Sequence, residues 1–189
     1  MFEKVYKIPL KLGIMLSGAL GMGFAYAGSE LTAKHLIPDG HGGMKLAPHP
    51  NKLKAILGFH DVRYGHRCIT DAFVAFVVDQ LQAETSVFGD FKYHDSGIGT
   101  GAEAAGDTGM GTAWGGARDV GTQTEGVTAN IYKSVATTTY NATKAITEHG
   151  LFNTADSATL MDRTLFSAIN VVSGNAIEWT FQVTFTAGG

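Results

Sequence analysis

The sequence predicts a mainly β protein built as an antiparallel sandwich, on three observations. The run 176–186 alternates strictly, with large apolar residues at every second position and Glu, Thr and Gln between them. The run 128–140 is rich in β-branched residues with the same period of two. The turns between predicted strands are too short for parallel crossovers, which need a dozen residues or more. We therefore expect an immunoglobulin-like or jelly-roll-like sandwich with one short helix and an extended N-terminal arm.

Further strands are expected around these two. The segment 144–152 is predicted as a strand with a bend or bulge at 148–150, and 159–172 as a strand that can be kinked. Ser173, Gly174 and Asn175 have the composition of a tight turn, which would lead directly into the strand 176–186. The segment 91–96 can add one more strand.

The chain divides into an arm, 1–68, and an assembly domain, 69–189. Within the domain, a helix is expected over 69–83, capped by Thr70 or Asp71, although its β-branched residues leave a strand as the alternative. The segment 96–126 is so rich in Gly that it is expected to form a long loop. The apolar face of the predicted helix consists of Phe73, Phe76, Val77 and Leu81.

Composition limits the classes of partner. Only 16% of the 189 residues are charged, the net charge is −3, and no basic block occurs, which argues against nucleic acid as the main partner. The single cysteine, Cys68, can form neither an intrachain disulfide nor a thiolate zinc site alone. Low charge combined with 25 glycines is common in chains that pack against copies of themselves.

The first 27 residues leave two interpretations open. A basic start, an apolar run over 12–24 and the sequence Ala25-Tyr26-Ala27 match a secretory signal peptide. The same segment, 12–27, can instead be a retained apolar arm that inserts into a neighbouring subunit. The run is too short for a stable membrane span. The candidate interface residues are Leu12, Ile14, Leu16, Leu20, Phe24 and Trp114.

Trp114 belongs to this set because it stands in the Gly-rich loop, outside any predicted strand. It can anchor the loop either on its own domain or on a neighbouring subunit.

Candidate catalytic and ligand-binding patterns are weak. His60, Asp61, His66 and Cys68 do not have zinc-site spacing, and the Gly97–Ala102 match to G-x-G-x-x-A is not followed by a helical sequence. Glu148 and His149 are adjacent on a predicted strand, so they should point to opposite faces. The loop carboxylates would act together only if the loop brought them together; they are Glu103, Asp107, Asp119 and Glu125. We predict no catalytic residue, cofactor or metal, and no enzymatic activity.

Three motifs carry a resemblance to a known family. The chain contains Ile146-Thr147-Glu148-His149-Gly150-Leu151-Phe152. It continues with Asp162-Arg163, Phe166 and Ile169-Asn170-Val171 before Gly174, and it closes with Thr184-Phe185-Thr186-Ala187-Gly188-Gly189. Over about residues 90–189 this order resembles a group of tailed-bacteriophage structural proteins. Asn175 stands where that group has Asp, and both residues suit a turn.

The resemblance implies a virion protein without catalytic residues. Its implied partners are copies of itself and a major capsid protein or another virion protein, with no nucleic acid. A capsid decoration or cement protein is the expected role. A neck, tail or fibre component is the nearest alternative, and an exported surface- or carbohydrate-binding sandwich is a second.

Overall fold

The computed structural model describes residues 26–65, 68–82 and 90–186, which form two antiparallel sheets and two helices. The strands are β1 Tyr26–Pro38, β2 Met44–Leu46, β3 Val62–Gly65, β4 Cys68–Ile69, β5 Tyr93–Gly97, β6 Asp119–Val120, β7 Thr122–Glu125, β8 Ile131–Thr139, β9 Lys144–Phe152, β10 Leu160–Val171 and β11 Ala176–Thr186. The helices are α1 Lys52–Ile56 and α2 Asp71–Gln82.

The first sheet has the order β2-β1-β11-β8-β7, and β3 also pairs with β1. The second sheet has the order β4-β10-β9-β5-β6. Every pairing in both sheets is antiparallel. The prediction of a mainly β, antiparallel sandwich is therefore confirmed.

The core lies between the two sheets because the alternating strands turn their apolar faces toward each other. Trp179, Phe181 and Val183 of β11 are fully buried, as the alternation predicts, while Phe185 at the end of the same face is half exposed. One cluster joins the sheets and contains Leu31, Ala33, Tyr140, Ile146, Ile169, Val171, Ile177 and Trp179. A second cluster lies under α2 and contains Phe73, Phe91, Leu151, Met161, Phe181 and Val183.

The described part of 1–68 does not form the extended arm that was predicted. Strand β1 lies inside the first sheet and pairs with β11 over eleven residues, from Tyr26 opposite Thr186 to Leu36 opposite Ala176. Its inward residues include Ser29 and His35 beside Leu31 and Ala33, so the strand lacks the apolar alternation that identifies β11. The sandwich thus begins near Tyr26 and not at residue 69. The candidate interface residues from Leu12 to Phe24 lie outside the described residues.

The remaining elements follow the predictions with local differences. Strand β9 is continuous where a bend or bulge was expected at 148–150; its register with β10 shifts between Leu160 and Asp162 and again between Leu165 and Ile169. Helix α2 begins at Asp71, and the hydroxyl of Thr70 accepts a hydrogen bond from the Phe73 amide, as expected of a cap. The Gly-rich loop contains β6 and β7 because their partners β5 and β8 supply the pairing, and α1 is a second helix that was not predicted.

At two sides of the sandwich the chain crosses from one sheet to the other between two short strands. β3 pairs in the first sheet and β4 in the second; on the opposite side β6 pairs in the second sheet and β7 in the first. Gly121 joins β6 to β7 and is buried. A Cβ atom on Gly121 would lie 2.4 Å from Ser134 Oγ and 2.7 Å from His94 Nε2. Only glycine lets the backbone cross so close to the interior.

Candidate functional site

A buried ionic cluster holds the Gly-rich loop on the outer face of the second sheet. We call it the loop latch, and it consists of Glu148 on β9, Arg163 on β10 and Asp107 in the loop. Arg163 Nε donates to Glu148 Oε2 at 2.7 Å, and Arg163 Nη1 donates to Asp107 Oδ2 at 2.9 Å. The guanidinium also donates to the carbonyl of Gly101 at 3.0 Å. The two neighbouring strands thereby become one attachment point for the loop.

The Glu148 carboxylate completes its hydrogen bonding with loop amides. It accepts from Gly99 at 2.9 Å, from Thr112 at 2.8 Å and from Gly111 at 3.0 Å. Burial alone would raise the pKa of Glu148, but the bonds from Thr112, Arg163 and the glycine amides outweigh it and lower the pKa. The carboxylate is therefore ionised and fully engaged in structural contacts.

The latch also explains the glycines of the G-x-G-x-x-A match. A Cβ atom on either Gly97 or Gly99 would lie 2.4 Å from Glu148 Oε1. Because Gly97 and Gly99 have no side chain, there is room for the Glu148 carboxylate beside them. The segment that follows them forms turns and bends.

His149 faces the sandwich interior, opposite to Glu148, as the strand period predicts. His94 Nδ1 and His149 Nε2 are 2.9 Å apart, and His94 Nε2 lies 2.8 Å from Ser134 Oγ. His149 Nδ1 has no hydrogen-bond partner among the described residues. No N–H is left unpaired if His149 donates from Nε2 to His94, which donates to Ser134. Burial lowers the pKa of His94 to about 3 and that of His149 well below its usual value, so both rings are neutral.

The other candidate carboxylates are used separately. Glu103 Oε2 accepts from the Leu165 amide at 2.6 Å, Asp119 Oδ2 accepts from Thr138 Oγ1 at 2.5 Å, and Glu125 is exposed at the end of β7. With Asp107 committed to Arg163, each of the four has its own environment. Glu103 and Asp107 bind positions two residues apart on β10, while Asp119 lies on β6 and Glu125 on β7.

Of the residues considered for a metal site, Asp61 is engaged in other contacts. Asp61 Oδ2 lies 3.0 Å from His35 Nδ1, and Asp61 pairs with Arg63. His66 and the side chain of Cys68 lie outside the described residues. Within 26–65, 68–82 and 90–186, no three His, Cys, Asp or Glu side chains form a group that could hold a metal ion.

Trp114 anchors the Gly-rich loop on its own domain, which is one of the two predicted alternatives. Its ring packs edge-on against Tyr140 with centroids 4.9 Å apart, and its amide donates to the Ser96 carbonyl at 3.1 Å. The side chain also contacts the first core cluster.

The exposed surface carries one concentrated apolar feature. Between β2 and β3 the chain leaves the sheet and returns, and α1 forms the outer part of this excursion. Of the large apolar side chains that the described residues expose, half lie between Met44 and Tyr64. Four of them define what we call the apolar knob: Leu53 (66% exposed), Ile56 (81%), Leu57 (65%) and Phe59 (56%).

The knob keeps its shape although α1 has no buried residue. Asn51 Oδ1 caps the first turn by accepting from the amides of Leu53 and Lys54, at 3.0 and 3.3 Å. Gly58, at φ +81°, ends the helix: its amide donates to the Ala55 carbonyl and the Phe59 amide donates to Lys54. This is the Schellman arrangement. Because a five-residue helix is unstable alone, these caps hold the apolar residues in place.

The charge of the chain is unevenly distributed around the knob. Segment 41–64 has four basic residues and one acidic residue, a net charge of +3. Segments 26–40 and 65–189 together have seven basic and fifteen acidic residues, a net charge of −8. Lys52 and Lys54 flank Leu53 directly. The knob is therefore an apolar surface with a basic border on an acidic protein.

In the part of the chain that the structure describes, neither helix has the length and hydrophobicity to cross a membrane. Comparison with protein-family models, with curated proteins and with solved structures finds no match to this chain.

Proposed function

We propose that this chain is a structural subunit of a bacteriophage virion, of the capsid decoration or cement class. In this proposal it binds a major capsid protein and copies of itself, and its place is the virion. The apolar knob is the observation that carries the assembly part of the proposal. The resemblance of residues 90–189 to tailed-phage structural proteins supports the virion part.

The knob favours assembly because exposed apolar area is unfavourable in water unless a partner covers it. Each square ångström of apolar surface that a partner buries contributes about 25 cal/mol. Contiguous exposed apolar surface with a polar border is typical of protein contact sites. The Asn51 and Gly58 caps order the knob before binding, which lowers the entropy lost on association.

The polar groups of the sandwich support a structural role in a second way. The latch, the histidine pair and Asp61 all make contacts that connect strands or fix loops within the chain. The latch keeps the long Gly-rich loop ordered against the second sheet. A rigid domain with fixed loops suits a protein that must fit a lattice of neighbours.

The apolar segment 12–24 is proposed as a retained second contact. Cleavage after Ala27 would remove Tyr26 and Ala27, whose backbones pair with Thr186 and Phe185 at the start of β1. N-terminal sequencing of the protein recovered from particles tests this part. Met1 at the N-terminus supports retention, and Gly28 supports a cleaved signal and the exported binding module.

The proposal is tested by quantitative mass spectrometry of virions purified from a lysate of the encoding phage. We expect a copy number comparable to that of the major capsid protein. A few copies per particle would indicate a neck, tail or fibre component and contradict the cement role. Absence from washed particles would contradict the virion role altogether.

A further inference from the structure

We propose that the apolar knob of one copy docks in a groove of a second copy, so that the chain associates head to tail. This inference deepens the proposed function by naming two of the surfaces that join subunits. It does not depend on where the protein sits in a virion.

The proposed acceptor is a shallow groove at one corner of the first sheet. It has a volume of about 480 Å³ and lies where β7 ends, β8 begins and β11 ends. Ala129, Ile131, Tyr132 and Phe185 give it an apolar lining, and Phe185 is 46% exposed. Glu125 is the charged side chain among the described lining residues. The groove thus combines apolar surface with a negative charge.

The knob and the groove of one chain cannot meet. The excursion that carries the knob leaves the sheet beside His35, which accepts from the Ala47 amide and donates to the Asp61 carbonyl. The groove lies beside the opposite end of β1, where Tyr26 pairs with Thr186, and across β11 and β8. His35 lies nine residue steps along the strand from Tyr26, about 30 Å at 3.3 Å per step. Any contact between the two surfaces must join two molecules.

Charge complementarity selects a second copy as the occupant. Lys52 and Lys54 border the knob, and Glu125 lies in the groove. The whole knob segment carries +3 and the rest of the described sandwich region is strongly acidic. A knob that approaches another copy therefore meets a surface of opposite sign, which assists encounter and orientation.

The contact is heterologous because it joins two different surfaces. Such a contact closes into a ring if its rotation permits, and otherwise continues as an open chain. Every subunit of a ring, and every internal subunit of an open chain, has one knob contact and one groove contact. This connectivity suits a protein that ties neighbours together on a shell.

The test is sedimentation velocity of the full chain over a range of concentrations. Ile56 is the most exposed knob residue, so Ile56→Ser should leave the fold intact and weaken self-association by about tenfold. Val172→Ser, an exposed apolar position at the β10–β11 turn outside both surfaces, is the matched control and should associate like the wild type.

A charge exchange identifies the two surfaces specifically. Lys54→Glu and Glu125→Lys should each weaken association, and an equimolar mixture of the two variants should restore it, because one supplies an acidic knob and the other a basic groove. The proposal fails if the wild type stays monomeric, if Ile56→Ser associates normally or if the mixture restores nothing.

Other occupants give other results. Removal of residues 1–25 that abolishes association, with Ile56→Ser unchanged, would assign the contact to the N-terminal segment and overturn the proposal. Knob-dependent binding to phosphatidylserine vesicles by a monomeric wild type would overturn it in favour of a membrane. Virion copy number is unaffected by these outcomes, so failure here is distinguishable from failure of the proposed function.

Discussion

Arg163 Nε donates to Glu148 Oε2 at 2.7 Å, and the two side chains are 4% and 0% exposed. This buried pair connects β9 and β10, and through Asp107 and the amides at 99, 111 and 112 it holds the Gly-rich loop. A loop so rich in glycine would lose much conformational entropy on ordering. Together with Trp114, the pair gives the loop a defined position.

Substitution Glu148→Gln should destabilise the fold by about 3 kcal/mol, because a buried charged partner is removed and Arg163 keeps its charge. The amide group of Gln would also face backbone N–H donors. Urea unfolding measures the free energy, and limited proteolysis should show cleavage within 98–118 before global unfolding.

The matched control for this substitution is Glu178→Gln. Glu178 accepts from Lys34 Nζ at 2.6 Å, but both side chains are substantially exposed. Loss of such a surface pair should cost about 1 kcal/mol or less. Equal losses for the two variants would show that the latch is not a special element of stability.

Substitution Gly121→Ala should destabilise the sandwich by about 1 to 3 kcal/mol. The added methyl group would collide with Ser134 Oγ and His94 Nε2, which are hydrogen-bonded to each other in the interior. Gly101→Ala is the control, since a Cβ there meets nothing within 4 Å and the position does not require a positive φ. Thermal unfolding of both variants checks the prediction. A Gly121→Ala protein with the melting temperature of Gly101→Ala would contradict it.

Acid should destabilise the fold through the histidine pair. The folded pKa values of His94, about 3, and His149 lie below the unfolded value of about 6.5, so the unfolded chain binds more protons below pH 6.5. The neutral histidines therefore make their full contribution to the free energy of unfolding above pH 6.5. This free energy falls as the pH falls, by up to about 1.4 kcal/mol per pH unit for each histidine. The loss from His94 continues to about pH 3. Urea unfolding between pH 6.5 and 5 measures how the free energy of unfolding changes with pH.

Variants separate this slope from other effects. In His94→Gln the slope should fall to about half, whatever the absolute stability, because one of the two histidines is gone. In Val172→Ser, which alters an exposed residue without a titratable group, the slope should not change. A wild-type slope near zero over this range would contradict neutral burial of the pair.

The sequence alone predicted the strands whose alternation of apolar and polar residues is visible within a single segment. The alternation over 176–186 predicted β11 with its bounds, and the β-branched run predicted β8. β1 escaped prediction because Ser29 and His35 share its inward face and its partner β11 lies at the far end of the chain. Pairing between distant segments, such as β1 with β11, produces no pattern within either segment from which it could be predicted.

The same limit applies to the candidate site. Glu148 and Arg163 form the latch only because β9 and β10 pair in one register and the loop folds over them. The opposite directions of Glu148 and His149 could be predicted from the strand period, but their partners could not. α1 was missed because a helix of five residues is too short for its apolar spacing to be distinguished from chance; the sequence Asn51 to Gly58 with both caps was the available indication.

The capped helix should respond locally to loss of a cap. Asn51→Ala removes the acceptor for two amides and should destabilise α1 by about 1 kcal/mol. Since α1 buries no side chain, the global melting temperature should hardly change. Hydrogen exchange should accelerate at the amides of residues 53–59 alone. A large drop in global stability would mean that the knob is part of the folding core.

The proposed role as a shell protein requires a defined location of this chain in the intact particle. Cryo-electron microscopy of purified virions should show the two-sheet sandwich on the outside of the shell, repeated over the lattice, with the knob residues 53–59 covered by a neighbouring subunit. Density for the sandwich restricted to the neck or tail, or a lattice position in which the knob faces solvent in every copy, would contradict it.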